Sequence, residues 1–424
     1  MSESSPLLKD GKPSIVQHRF SRARKSAITF IISFAGLTSP FSVGSFIPAV
    51  PYVAAELGQS VRVVNYSIGI HSLALALGIL WWAPYSDLYG RRPIYLISLP
   101  MLCLGCLGTS SSRDIIQLMG FRALEAIGAA SVLSLGSATI SDIYSVEERG
   151  RAIGLFYGAI LLGPTLAPVA GGIAATYASW RVMEYIICGM AFISFLWIFA
   201  LLPETNLRTI CENDDTSSIT RMSTFNPFRS LKLFTFPNIS LAVLINSLTV
   251  STTSIIIIPL SSILGPRYGL QSPAQIGACL FAIGLGNVLS APIAGILSDR
   301  AILGGTRIPA DRLKAAWLPA LLFPPASLIL YSLSLTSLSG TLGLTTAVLA
   351  LFVNGLGVPL ILTPCGIYII DVLQDRSAEA AAINQACRFV FTALISFIIL
   401  PIIETFGVTI VYRSAAILSF LPFL

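Results

Sequence analysis

The stretch Ala83-Pro-Tyr-Ser-Asp87-Leu-Tyr-Gly90-Arg91-Arg92-Pro93 is a short polar turn between two long apolar runs. A second version, Gly295-Ile-Leu-Ser-Asp299-Arg300, places its acid 212 positions beyond Asp87. The flanking runs recur at the same distance, since the first begins near Ile28 and the seventh near Ile239. The turn has its own physical logic. Gly90 permits a tight reversal, Asp87 stands at a helix end, and Arg91 and Arg92 can reach carboxylates on neighbouring helix ends. Such a charge clasp would hold one conformer and release in another. A duplicated turn at the spacing of duplicated runs predicts two related halves, the organisation of carriers that bind between halves.

The runs themselves decide the class. Of 424 residues 54% are hydrophobic and only 11% charged, far below the roughly 25% charged of a soluble domain. The mean hydropathy of +0.81 agrees. Twelve runs suit helices of about 20 residues crossing a bilayer, at 28–50, 65–84, 94–111, 115–140, 152–175, 182–202, 239–263, 275–297, 315–334, 342–370, 380–402 and 407–424. This is the pattern of an all-α polytopic membrane protein with a 6+6 pseudo-repeat. Its parts are an N-terminal tail (1–27), a six-helix bundle (28–202), a polar connector (203–238) and a second bundle (239–424). The twelfth run meets Leu424 with little room, so a truncated last span is expected.

The net charge of +6 does not indicate nucleic acid, because the basic residues sit in short loops between apolar runs. With the N-terminus in the cytoplasm, 19 Lys and Arg fall on the cytoplasmic side and four on the other, a strong positive-inside asymmetry. The polar start followed by a long apolar run does not fit a cleavable signal peptide. The connector reads as a tether ending in Asn226-Pro-Phe-Arg229-Ser-Leu-Lys232-Leu-Phe234, whose aromatics and cations suit a short interfacial helix.

Several motifs together resemble one family. Asp87-x-x-Gly90-Arg91-Arg92 resembles the signature loop of the major facilitator superfamily. Arg122-x-x-Glu125-x-x-Gly128-Ala129-Ala130 in span 4 resembles its second motif, and Gly158-x-x-x-x-Gly163-Pro164 with Pro168 and Gly171-Gly172 resembles the span-5 motif of its antiporters. Pro203-Glu204-Thr205 and the span-11 stretch Ala382-Ile-Asn384-Gln-Ala-Cys-Arg388 are similar to the fungal twelve-spanner drug:proton antiporters. The chain departs from that pattern at Ala83, Leu88, Glu125 and Ala126. The resemblance implies the major facilitator fold and proton-coupled efflux of small amphipathic or cationic compounds by alternating access. The alternative is export of an organic acid or other secondary metabolite. The implied partners are a small molecule, a proton and the bilayer, for a monomer in the plasma membrane, with the vacuolar membrane as the alternative. No cofactor or metal is expected. An enzyme would need a catalytic constellation, and a chain with two histidines, no Gly-x-Ser-x-Gly and no P-loop offers none.

Charges inside spans are costly and mark candidate sites. Arg122 and Glu125 lie three apart and can pair, and Glu125 reads as the one acid well inside a span. Arg388 meets a carboxylate or anionic substrate, or else snorkels to the surface. His71 either titrates near neutral pH or packs through hydrogen bonds. Asn384, Asn246 and Asn354 are candidate cavity residues, while Asp142, Asp371 and Glu404, at span ends, read as solvated. Gly163 and Pro164 permit close approach and bending of span 5, as do Gly154 and Gly158. Cys103-x-x-Cys106 lacks the partners of a metal site.

Overall fold

A computed structural model describes residues 20–144, 146–206, 229–303, 308–373 and 376–420. Most of the connector lies outside these residues. Span 1 is Arg22–Gly44, followed by short helical turns at Ile47–Ala49 and Val50–Glu56. Spans 2 to 6 are Val61–Tyr89, Arg91–Ser111, Ile115–Ile143, Val146–Tyr177 and Trp180–Leu201. Spans 7 to 11 are Pro237–Ile257, Pro273–Leu303, Leu313–Thr336, Gly340–Val372 and Ser377–Phe406. Among the described residues eleven helices are long and apolar enough to cross a bilayer. The twelfth, Val408–Leu418, has 11 residues, about 16 Å at 1.5 Å per residue. No strand occurs among the described residues.

Large apolar side chains cover the outside, where Phe30, Leu77, Trp81, Phe199 and Leu322 are exposed, while Ala, Ser and Gly fill the helix crossings. That distribution belongs to a bundle solvated by lipid, where close packing of small residues holds helices together. A Cβ on Gly105 would overlap the backbone of Glu125, and one on Gly128 would overlap that of Leu102. Spans 3 and 4 therefore meet backbone to backbone beside Glu125. Gly163 packs on Pro40, Gly171 on Ser45, and Gly172 on Pro273 of span 8. Gly154 and Gly158 have open space instead, so the expected close approach holds only for the far part of span 5.

The connector joins two spans on one face of the bundle, called here the connector face. At the opposite face the halves are in contact. Gly277 meets Pro168 and Gly284 meets Thr165 across spans 5 and 8, Tyr52 donates to the Gln271 carbonyl at 3.2 Å, and Arg62 pairs with Glu404. The connector's described end, a 3-10 helix at Arg229–Thr235, buries Leu233 against Ile239, Ile369 and Ile383. The anticipated short helix over 226–234 falls partly outside the described residues; from Arg229 on the chain is a 3-10 helix packed on the second bundle.

Candidate functional site

The duplicated turn folds as two ion-pair clasps. Gly90 has φ +96°, a left-handed conformation that suits glycine, and a Cβ there would strike Glu204. Glu204 occupies that space because its Oε1 accepts from the Arg91 amide at 2.9 Å and its Oε2 from the Arg92 amide at 3.2 Å, capping span 3. The Arg91 guanidinium is freed to donate to Asp87 at 2.8 Å and Asp142 at 3.3 Å, while Arg92 donates to the Phe199 carbonyl at 2.8 Å. Asp142 is thus an ion-pair partner and not a solvated span end.

In the second half the cation is Arg312. It donates to Asp299 at 2.8 Å, Asp371 at 2.7 Å and Ser298 at 3.1 Å. Arg300, expected to serve there, is exposed. Asp371 and Glu404 also hold ion pairs, with Arg312 and Arg62; Glu404 is exposed, as a solvated span end should be, and Asp371 is half-buried. The sequence pattern missed Arg312 because the matching cation lies 13 residues after its acid in the second half and four after it in the first.

The far half of the N-terminal bundle holds a sealed polar cluster. Arg122, Glu125 and His71 have no solvent-accessible surface, and Glu184 is 1% exposed. Arg122 Nη1 lies 3.5 Å from both Glu125 Oε2 and Glu184 Oε1 and donates to the Ser42 carbonyl at 3.1 Å. Its guanidinium carbon sits 4.3 Å from the centre of the Phe46 ring, a cation–π contact. Glu125 Oε2 also accepts from Thr109 at 3.4 Å. His71 Nδ1 is 3.1 Å from the Arg122 carbonyl, to which it can only donate. Its Nε2 is 3.2 Å from the Ser42 hydroxyl, whose oxygen also contacts Glu125 Oε1.

Glu184 corrects the expectation that Glu125 is the one acid inside a span. It is the fifth residue of span 6, where sequence alone reads a span end, and tertiary packing buries it against Arg122. Its Oε2 has no hydrogen-bond partner. Cys106, Glu125 and Glu184 could supply three metal donors, but the Arg122 guanidinium already takes the cation's place between the carboxylates. Cys103 turns away and donates to the Cys188 carbonyl at 3.7 Å.

The remaining candidates lie in the second bundle. Asn246 donates to Asn384 at 3.0 Å. Arg388 donates to Gln385 at 2.9 Å, and its Nε is buried without a partner. Asn354, 1% exposed, bonds Thr253 at 2.7 Å and Ser327 at 3.1 Å and so ties spans 7, 9 and 10 together inside the bundle. The structure joins Arg122, Glu125 and His71 in one cluster and Asn246 and Asn384 in another. Gly163 and Pro164 lie in span 5, with Gly163 on span 1.

Eleven helices long and apolar enough to cross a bilayer, with lipid-like apolar side chains on the outside, define an integral membrane protein. Residues 32–396 match the Major Facilitator Superfamily, and the chain belongs to that family. It is 38% identical over 181 residues to the MFS antiporter QDR3 of Candida albicans, covering 43% of this chain and 26% of that one. It is 34% identical over 211 residues to Citrate exporter 1 of Aspergillus niger, covering 50% of this chain and 40% of that one. The matched stretches are thus well under two thirds of these relatives. A solved peptide transporter POT superposes with a TM-score of 0.71 at 17% identity, covering 93% of each chain, a likeness of fold.

Proposed function

We propose that this chain is a proton-coupled exporter of small organic molecules working by alternating access, with the connector face in the cytoplasm. The carrying observation is the charge composition of the sealed cluster. One arginine faces two carboxylates, so full ionisation would leave an uncompensated charge in a buried site, a costly arrangement. One bound proton balances it.

The hydrogen bonds support the same count. Ser42 has one hydrogen and stands between two acceptors, His71 Nε2 and Glu125 Oε1. If both are bare, one is left unsatisfied. A proton on Glu125 lets Glu125 donate to Ser42 and Ser42 to His71. A proton on His71 reverses both bonds. Ser42 therefore links two proton positions by a small hydroxyl rotation, and the cluster is a carrier site and not only a structural pair.

The nearest approach of solvent from the far face supports entry of that proton from that side. A depression of about 420 Å³ there is lined by Tyr52, Glu56, Ser179 and Trp180. Trp180 meets the Phe46 ring edge-on at 6.1 Å, and Phe46 covers Arg122. Trp180 and then Phe46 stand between the depression and Arg122.

Efflux of amphipathic or cationic compounds is supported by similarity to the MFS antiporter QDR3 and the Multidrug transporter DTR1. Export of an organic acid is supported by similarity to the citrate exporter and by Arg388, which has no acidic partner among the described residues. The test is purified protein in sealed vesicles with an imposed pH gradient and no nucleotide. Gradient-driven movement of a probe, abolished by a protonophore, is expected. Movement that requires ATP and ignores gradient collapse overturns the reading. An epitope within 205–235 labelled from outside intact cells would overturn the orientation.

A further inference from the structure

Arg388 is the twelfth residue of span 11, about 17 Å along the helix from its start. That depth exceeds the reach of its side chain, and Nη1 turns to Gln385 while Nε stays buried without a partner. No carboxylate pairs with Arg388 among the described residues, where its printed side-chain partner is Gln385. Arg122, the arginine sealed within span 4, is by contrast matched by two acids. An arginine held unpaired at that depth is expensive unless an anion arrives to meet it.

The surroundings complete a recognition site. Asn384 precedes Arg388 by four residues, so the two share one face of span 11. Asn246 of span 7 lies against Asn384, and its Oδ1 is buried without a partner. It is the tenth residue of its span, about 14 Å from the connector face, so the groups sit at similar depth. The donors suit a planar anion, the guanidinium supplying parallel N–H groups and Asn246 accepting from a hydroxyl or acid proton.

We propose that Arg388, Asn246 and Asn384 bind the carboxylate of an organic-anion substrate. The inference deepens the exporter reading and rests on it for direction of movement, not for binding. In the bound state the anion neutralises Arg388, and in the empty state the charge is unpaired. The loaded and empty carriers therefore differ in the charge that must pass through the apolar closure between halves.

The test uses the purified full chain in detergent and thermal-shift titrations with 2-naphthoate, the neutral 2-naphthamide and the cationic 2-naphthylmethylammonium. Naphthoate is expected to bind at least about tenfold more tightly than the amide, the scale of lost charge-assisted hydrogen bonds. Arg388→Gln should erase that preference, and Arg388→Lys, which keeps the charge, should retain it in part. Equal binding of acid and amide, tighter binding of the cation, or unchanged acid preference in Arg388→Gln overturns the proposal. Should Arg388→Gln fail to fold, the acid–amide comparison on the unaltered protein still decides. Failure of gradient-driven flux with the acid preference intact would sink the exporter reading alone. Flux of naphthylmethylammonium in preference to naphthoate would sink the anion subsite alone.

Discussion

Arg312 stands in the second half where Arg91 stands in the first. Each guanidinium joins the Ser-Asp pair ending one span, Ser86-Asp87 or Ser298-Asp299, to an acid at the end of another, Asp142 or Asp371. The clasps are built from different sequence spacings, so geometry and not motif is what the two halves share.

The first prediction follows from that equivalence. Asp87→Asn and Asp299→Asn should each slow transport several-fold while leaving the amount of membrane-inserted protein unchanged. Both acids are at least half exposed, so each pair contributes little to stability and its effect is on the balance between conformers. Initial rates normalised to surface-labelled protein check this. Loss of folded protein in both variants, or unchanged rates in both, counts against the clasps.

Arg62 and Glu404 form the one ion pair among the described residues that joins the halves. It lies at the face away from the connector, where any opening must break it. Glu404→Gln should raise labelling of a Thr165→Cys reporter by a membrane-impermeant maleimide about two- to fivefold, since an exposed pair is worth up to ~1 kcal/mol. The charge swap Arg62→Glu with Glu404→Arg should restore the original labelling. Equal labelling in all three proteins removes the latch.

Close packing gives a stability prediction. Gly105 lies against the Glu125 backbone, so Gly105→Val must push spans 3 and 4 apart. A loss of roughly 3 kcal/mol or more is expected, at the upper end of overpacking costs, read as a lower melting temperature in detergent. Gly154→Ala, with open space around it, should leave melting unchanged. Equal sensitivity at both positions would refute the packing argument.

Much of this was legible in the sequence, and the limits were physical. Hydropathy runs locate helices because a bilayer demands about 20 apolar residues, and the turn at Asp87 located the first clasp. Arg312 was not legible, because which cation closes a clasp depends on how spans 8, 9 and 10 converge. Glu184 was not legible either, since two residues past the start of an apolar run look like a water boundary. Only the packing of spans 3, 4 and 6 shows that this end is sealed. Asn354 looked like a cavity residue because polarity inside a span says nothing of direction. Its partners on spans 7 and 9 turn it inward.

The last prediction concerns the proton. Glu125 accepts from Ser42 and Thr109 and pairs with Arg122, whereas Glu184 has only the Arg122 contact. Removing charge at Glu184 with Glu184→Gln leaves one arginine facing one carboxylate, a balanced pair without an extra proton. That variant should still bind and exchange substrate across the membrane but lose most of its response to an imposed pH gradient. Glu125→Gln should do the same and also break the Ser42 bridge. Ser42 distinguishes a relay from mere charge balance. Ser42→Ala keeps every charge and removes the hydroxyl between His71 and Glu125, so gradient-driven transport should fall at least about tenfold, with exchange at zero gradient preserved. Ser42→Thr, which keeps the hydroxyl, should recover part of the loss. Paired measurements of counterflow and gradient-driven flux in one vesicle preparation separate the outcomes. If Ser42→Ala drives as well as the unaltered protein, the proton does not pass through Ser42. If both glutamine variants remain gradient-driven, Arg122, Glu125 and Glu184 are a structural tie, and the coupling group lies elsewhere.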